Sequence, residues 1–72
     1  MGADTLNVKE TGKIKEILTQ NKAVRQRLYS LGFIPGTEIS CYCKIWGTTA
    51  FGVKGGTIAL RNEEAKQIIL ES

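Results

Sequence analysis

The chain has no histidine among its 72 residues. That removes the commonest general base and the commonest metal ligand together. Cysteine is scarce: Cys41 and Cys43 are the only two, and a closed zinc site takes four ligands. Ser30 and Ser40 have no imidazole to activate them, which excludes a serine hydrolase of the usual kind. None of the eight glycines opens a phosphate loop, because no Lys-Ser or Lys-Thr pair follows a spaced glycine pair ahead of a helix. No apolar run approaches the ~20 residues that cross a bilayer, and Met1-Gly2-Ala3-Asp4 does not read as a signal peptide. Charge is also sparse on balance. The net value is +3, and the ten basic residues are scattered from Lys9 to Lys66 instead of forming the cluster that a nucleic-acid footprint requires. Adjacent Glu63 and Glu64 fit the first turn of a helix, where carboxylates meet the positive end of the dipole. The expectation is a protein that is not an enzyme and is soluble.

What remains is an ordinary globular composition, 42% hydrophobic and 24% charged. A chain of this length forms one domain with a small core, burying about 60% of its unfolded surface. Residues 1–5 read as a flexible terminus, and residues 6–72 as the domain. Leu6, Val8, Ile14, Ile17 and Leu18 are the apolar positions of the first segment, which Gly12 breaks, and the three-residue step from Ile14 to Ile17 fits a bulged strand better than strict alternation. Asn21 is a helix N-cap for a helix whose seam is Val24, Leu28 and Leu31, with Lys22, Arg25 and Gln26 outside that seam.

The strongest punctuation follows at once, in LYSLGFIPGTEI, residues 28–39. Gly32 closes the helix in a left-handed conformation, and Phe33 folds back on Leu28. Pro35-Gly36 then makes a type II turn, and Thr37 opens a strand. From there the period is two, with Ile39, Cys41, Cys43 and Ile45 on one face and Glu38, Ser40, Tyr42 and Lys44 on the other. Phe51 and Val53 point inward on the next strand, Gly55-Gly56 is a two-residue hairpin turn, and Ile58 and Leu60 point inward beyond it. Asn62 caps a short helical turn, and QIILES closes the chain as a strand. The fold class is mainly β. It is a small, partly open SH3-like barrel of about five strands, with one short helix after the first strand and a helical turn before the last.

Three side-chain groups are candidates for function. Cys41 and Cys43 at i, i+2 share a strand face, so they could pinch a soft ion such as ferrous iron or zinc; they also continue the apolar face of Ile39 and Ile45 as small hydrophobes. Trp46 stands at the bend between two strands beside Gly47, either as a lid over the barrel end or as an anchor for a partner. Arg25 and Tyr29, four apart, share one ridge of the helix.

Two blocks, RLYSLGFIPGTEI and VKGGTIALRNEEAKQI, resemble the FeoA family, the ferrous iron transport protein A type, in content, order and separation. Leu28, Leu31-Gly32, Phe33-Ile34 and Pro35-Gly36-Thr37 match the first block, and Ala59-Leu60-Arg61 with Glu63-Glu64-Ala65 match the second. The chain departs from the family pattern where Val8-Lys9 replaces a Pro-Gly ahead of the first strand, and in the short Trp46-Gly47-Thr48-Thr49 loop. The resemblance implies a cytoplasmic accessory protein. Its partner would be FeoB, the membrane ferrous iron transporter, engaged through its intracellular GTP-binding part. It implies no catalysis, no resident cofactor, no nucleic acid and no insertion into the membrane, with weak self-association as a further expectation. A similar fold forms the C-terminal domain of iron-dependent repressors. The rival reading is an SH3-like nucleic-acid or ribosome-binding module, suggested by a pI near 9.1; a third is a metal carrier using the two thiols.

Overall fold

Asn21 starts the helix as its side-chain chemistry demands: its carboxamide oxygen accepts from the N–H groups of Ala23 and Val24, at 2.9 and 3.3 Å. The computed structural model describes residues 1–71. In chain order the elements are β1 (Thr11–Ile17), α1 (Lys22–Ser30), β2 (Glu38–Ile45), β3 (Thr48–Val53), β4 (Gly56–Arg61), α2 (Asn62–Ala65) and β5 (Ile68–Leu70). The strands lie in the order β4-β3-β2-β1-β5, every pairing antiparallel. β1 is divided between two partners. Thr11 to Lys13 pair with β2, and Ile14 to Ile17 pair with β5 across a bulge between Ile14 and Glu16. A bulge adds twist and bends its strand, and that bend curls the sheet into the expected open barrel.

The helix-to-strand corner has the predicted form. Gly32 has φ +104, its N–H donates to the Tyr29 carbonyl at 3.0 Å, and the Phe33 N–H donates to the Leu28 carbonyl at 3.0 Å. Those two bonds are the pair that ends a helix in a Schellman motif. Pro35 and Gly36 follow, with Gly36 at φ +92 and the Thr37 N–H donating to the Ile34 carbonyl at 3.0 Å. This type II turn is pinned to β1, because Gly36 N–H donates to the Ile14 carbonyl at 2.7 Å and Ile14 N–H to the Thr37 carbonyl at 2.9 Å. Leu28 and Phe33 are fully buried in consequence, and Phe33 meets Phe51 edge-to-face with centroids 5.9 Å apart.

Four expectations are corrected. Residues 1–5 are not a loose end: Ala3–Thr5 form a 3-10 turn, Ala3 is buried, and Gly2 bridges Ile69 at the outer edge of β5. The last hairpin turns on Lys54 and Gly55, not on Gly55 and Gly56; their φ values of 48 and 80 define type I′, and Val53 pairs with Gly56. Asn62 is the first residue of α2 instead of its cap. Its side chain accepts from buried Thr49 at 3.0 Å, while Glu64 satisfies the Arg61 N–H at 3.3 Å.

The fourth correction concerns β2. The pairing with β3 slips between Cys41 and Cys43, so Tyr42 is an extra residue and the inward-outward alternation reverses beyond it. Ile39 and Cys41 enter the core, whereas Cys43 and Ile45 face solvent. Lys44 takes over the core-side phase and reaches across the rim, donating to the Asp4 carbonyl at 2.9 Å.

The departure at Val8-Lys9 also has a local account. Glu10 N–H donates to the Asn7 carbonyl at 2.9 Å, closing a turn in which Lys9 adopts φ +77. A type II turn takes glycine at that place, and here lysine adopts the glycine conformation.

Candidate interaction surface

The β2–β3 hairpin is a two-residue turn, since Ile45 pairs with Thr48. Trp46 and Gly47 fill it with φ +45 and +75, the signs of type I′, where Asn-Gly is the favoured pair. A tryptophan in the left-handed region is a poor conformational fit. It is also 98% exposed, so the lid expectation is overturned: the indole covers nothing. The tip itself is held, because the Asn62 N–H donates to the Gly47 carbonyl at 2.8 Å and ties the hairpin to the start of α2. Between them lies a shallow pocket of about 420 Å³ lined by Trp46, Gly47, Thr48, Arg61, Asn62 and Glu63.

Arg25 lies elsewhere. Its guanidinium donates to the Thr19 carbonyl at 2.5 Å, and it borders a second depression, of about 340 Å³, with residues 16–20. Exposed Leu18 is part of that depression. Tyr29, one turn on, is 38% exposed. The two depressions share no residue, so Arg25 and Trp46 are not parts of one pocket. Arg27, which the sequence reading passed over, pairs with Glu64 and joins the end of α1 to α2.

The two thiols are separated by the bulge, Cys41 fully buried and Cys43 exposed. Among the described residues no group of three or more Cys, Asp or Glu is placed to hold a metal ion. We therefore expect unequal effects from single substitutions. Cys41→Ser, which buries a hydroxyl, costs ~1–3 kcal/mol if it lacks a partner. Cys43→Ser stays within about 0.5 kcal/mol, as surface changes do. Urea midpoints measure both, and equal losses would contradict the bulged register.

Five antiparallel strands in an open SH3-like barrel, with a held hairpin tip and two shallow depressions, define a small scaffold that presents surface. The FeoA domain family model matches residues 1–72, and the chain belongs to that family. The FeoA-like protein from Clostridium acetobutylicum superposes with a TM-score of 0.88 at 30% identity, over 99% of this chain and 84% of that one. Stenotrophomonas maltophilia FeoA, solved with zinc, gives 0.88 at 25% identity over 99% and 89%. That protein is described as a prokaryotic SH3 domain protein and a candidate ferrous iron transport activating factor. A manganese-dependent transcriptional repressor shares the fold at 14% identity, with a TM-score of 0.86 over 94% of this chain and 39% of the repressor. No curated protein matched the sequence. Among the described residues, no helix is long and apolar enough to cross a membrane.

Proposed function

We propose that this FeoA-family chain is a cytoplasmic accessory module. It binds the cytosolic GTP-binding part of a FeoB-type ferrous iron transporter, supports or regulates that transporter, and catalyses nothing itself. One observation carries the reading: Trp46, 98% exposed and at φ +45. A bulky residue in a sparsely populated backbone region costs ~1–3 kcal/mol, and an indole left in water contributes no burial in return. A residue that harms folding on both counts is explained by work outside the fold, and tryptophan is enriched in interface hot spots. The hydrogen bond from Asn62 to the hairpin carbonyl presents it on a fixed support. The FeoA family membership identifies the transport system as the place to look for the partner.

The test is a binding titration against the isolated cytosolic part of such a transporter, with and without guanine nucleotide. Native protein is expected to bind, and Trp46→Ala to weaken binding at least tenfold, about 1.4 kcal/mol. Arg25→Glu is expected to have a smaller effect, because its guanidinium already serves the Thr19 carbonyl. Absence of binding in every nucleotide state, with single-stranded RNA retained at physiological salt, would establish the nucleic-acid reading in its place.

A further inference from the structure

Trp46 is one end of a larger exposed feature. Beyond the bulge, the residues of β2 that face outward are those paired with the outward residues of β3, and β4 continues each row. Cys43, Ala50 and Ala59 lie side by side across three strands, a row of small side chains. On one flank stands the row Ile45, Thr48 and Arg61; Ile45 is 59% exposed, and Trp46 projects from the hairpin at its end.

The other flank is built by the bulged residue. Tyr42 lays its ring over Gly52, where a Cβ would come within 2.4 Å of the phenol, and Thr57 of β4 extends that flank. Tyr42 remains 55% exposed, so the ring is a wall and not part of the core. The outcome is a trough crossing the strands, with small residues as floor and a tyrosine, an isoleucine and a tryptophan standing beside it.

The dimensions suit one kind of occupant. Thr48 and Gly52 on the two flanks are four residues apart along β3, about 13 Å at the rise of a strand. A helix with its side chains is about 10–12 Å across. Three strands at a spacing of about 4.8 Å give a floor of roughly 10 Å, two turns of helix. Charge narrows the choice further. Arg61 is the one charged residue in the three rows of the trough; Glu63 borders it through the pocket it shares with Trp46 and Arg61, and Glu64 accepts from the Arg61 N–H. Arg61 is exposed, so a carboxylate on the occupant suits that flank.

We infer that this outer face of β2, β3 and β4 is the seat for a short amphipathic helix of the partner. That helix lays an apolar stripe on Cys43, Ala50 and Ala59 and places a carboxylate opposite Arg61. The inference rests on the interaction-module reading above and assigns it a surface. Apolar residues at i, i+3 or i+4 and i+7 on the partner span the floor. Trp46 stands on the same flank as Ile45, and Tyr42 borders the opposite side. α1, with Arg25 and Tyr29, takes no part in this contact.

The experiment is an amide-shift titration of the labelled full chain with the transporter's cytosolic part, repeated with Ala59→Arg and Arg61→Glu. Ala59 is exposed on an edge strand, so a long cation there fills the trough without entering the core. The expected result is shifts centred on Cys43, Ala50 and Ala59, and at least tenfold weaker binding by Ala59→Arg at an unchanged melting temperature. Arg61→Glu should weaken binding several-fold and flatten its salt dependence. If the native chain binds and Ala59→Arg binds equally, with shifts around Arg25 and Tyr29, the trough assignment is overturned while the module reading stands. If the same face shifts with concentration alone, a second copy is the occupant and the helix is wrong. If the native chain does not bind at all, both readings fall.

Discussion

Phe33→Ala is expected to destabilise the protein by ~3–5 kcal/mol, the range seen when a fully buried phenylalanine is truncated. The side chain has no exposed surface, and its ring meets Phe51 edge-to-face at 82°. Its N–H closes the Schellman cap on the Leu28 carbonyl and both side chains belong to one buried core, so the truncation loosens the exit of α1 as well as the core. A chain this short folds with a margin of ~0.05–0.15 kcal/mol per residue, about 4–11 kcal/mol in all. The variant should therefore lose between about a quarter and all of that margin. Urea denaturation followed by circular dichroism measures this. A loss below ~1 kcal/mol would show that Phe33 is not seated as a core residue.

Much of this was legible because it is local. Asn21 announces a cap through its own side chain, and Leu28, Gly32 and Phe33 define their motif within six positions. Pro35-Gly36 states its turn type through two fixed φ preferences. Even the bulge in β1 left a mark, since Ile14 and Ile17 are both buried and no strict alternation explains a step of three.

The bulge at Tyr42 left no such mark. Ile39, Cys41, Cys43 and Ile45 alternate without interruption in apolar character, and the slip is visible only in how β3 pairs: Cys41 opposes Phe51, and Cys43 opposes Ala50. Gly52 is the trace it leaves in the sequence, a residue without a side chain where the displaced tyrosine ring lies. From one strand alone that glycine cannot be connected to Tyr42. The N-terminal turn was hidden for a similar reason, since its partners, Ile69 and the Leu70 N–H that donates to the Met1 carbonyl, lie at the far end of the chain. The proposed surface followed the same division. Trp46 was picked out by residue type and position, whereas the trough beside it exists only because the bulge reverses the phase of β2.

Gly32→Val is the second large expected effect, and Gly36 supplies its control. Both glycines hold positive φ, +104 and +92, where a side chain is strained whatever space surrounds it. That strain is ~1–3 kcal/mol at each position. Their surroundings differ. A Cβ at Gly36 meets nothing within 4 Å, whereas one at Gly32 comes within 3.3 Å of a Val53 methyl and 3.6 Å of the Lys54 side chain. Val53 is a core residue on β3 and cannot withdraw freely, so β-branching at position 32 forces the end of α1 away from the sheet. Overpacking of that kind adds ~1–3 kcal/mol. Gly36→Ala should thus report backbone strain alone, Gly32→Ala slightly more, and Gly32→Val the sum of strain and crowding. Melting temperatures should fall in that order, with a shift of several degrees for each kcal/mol in a domain of this size. Equal losses for Gly32→Val and Gly36→Ala would show that α1 is free to move off Val53, and an unchanged melting temperature for Gly32→Val would show that Gly32 does not close the helix.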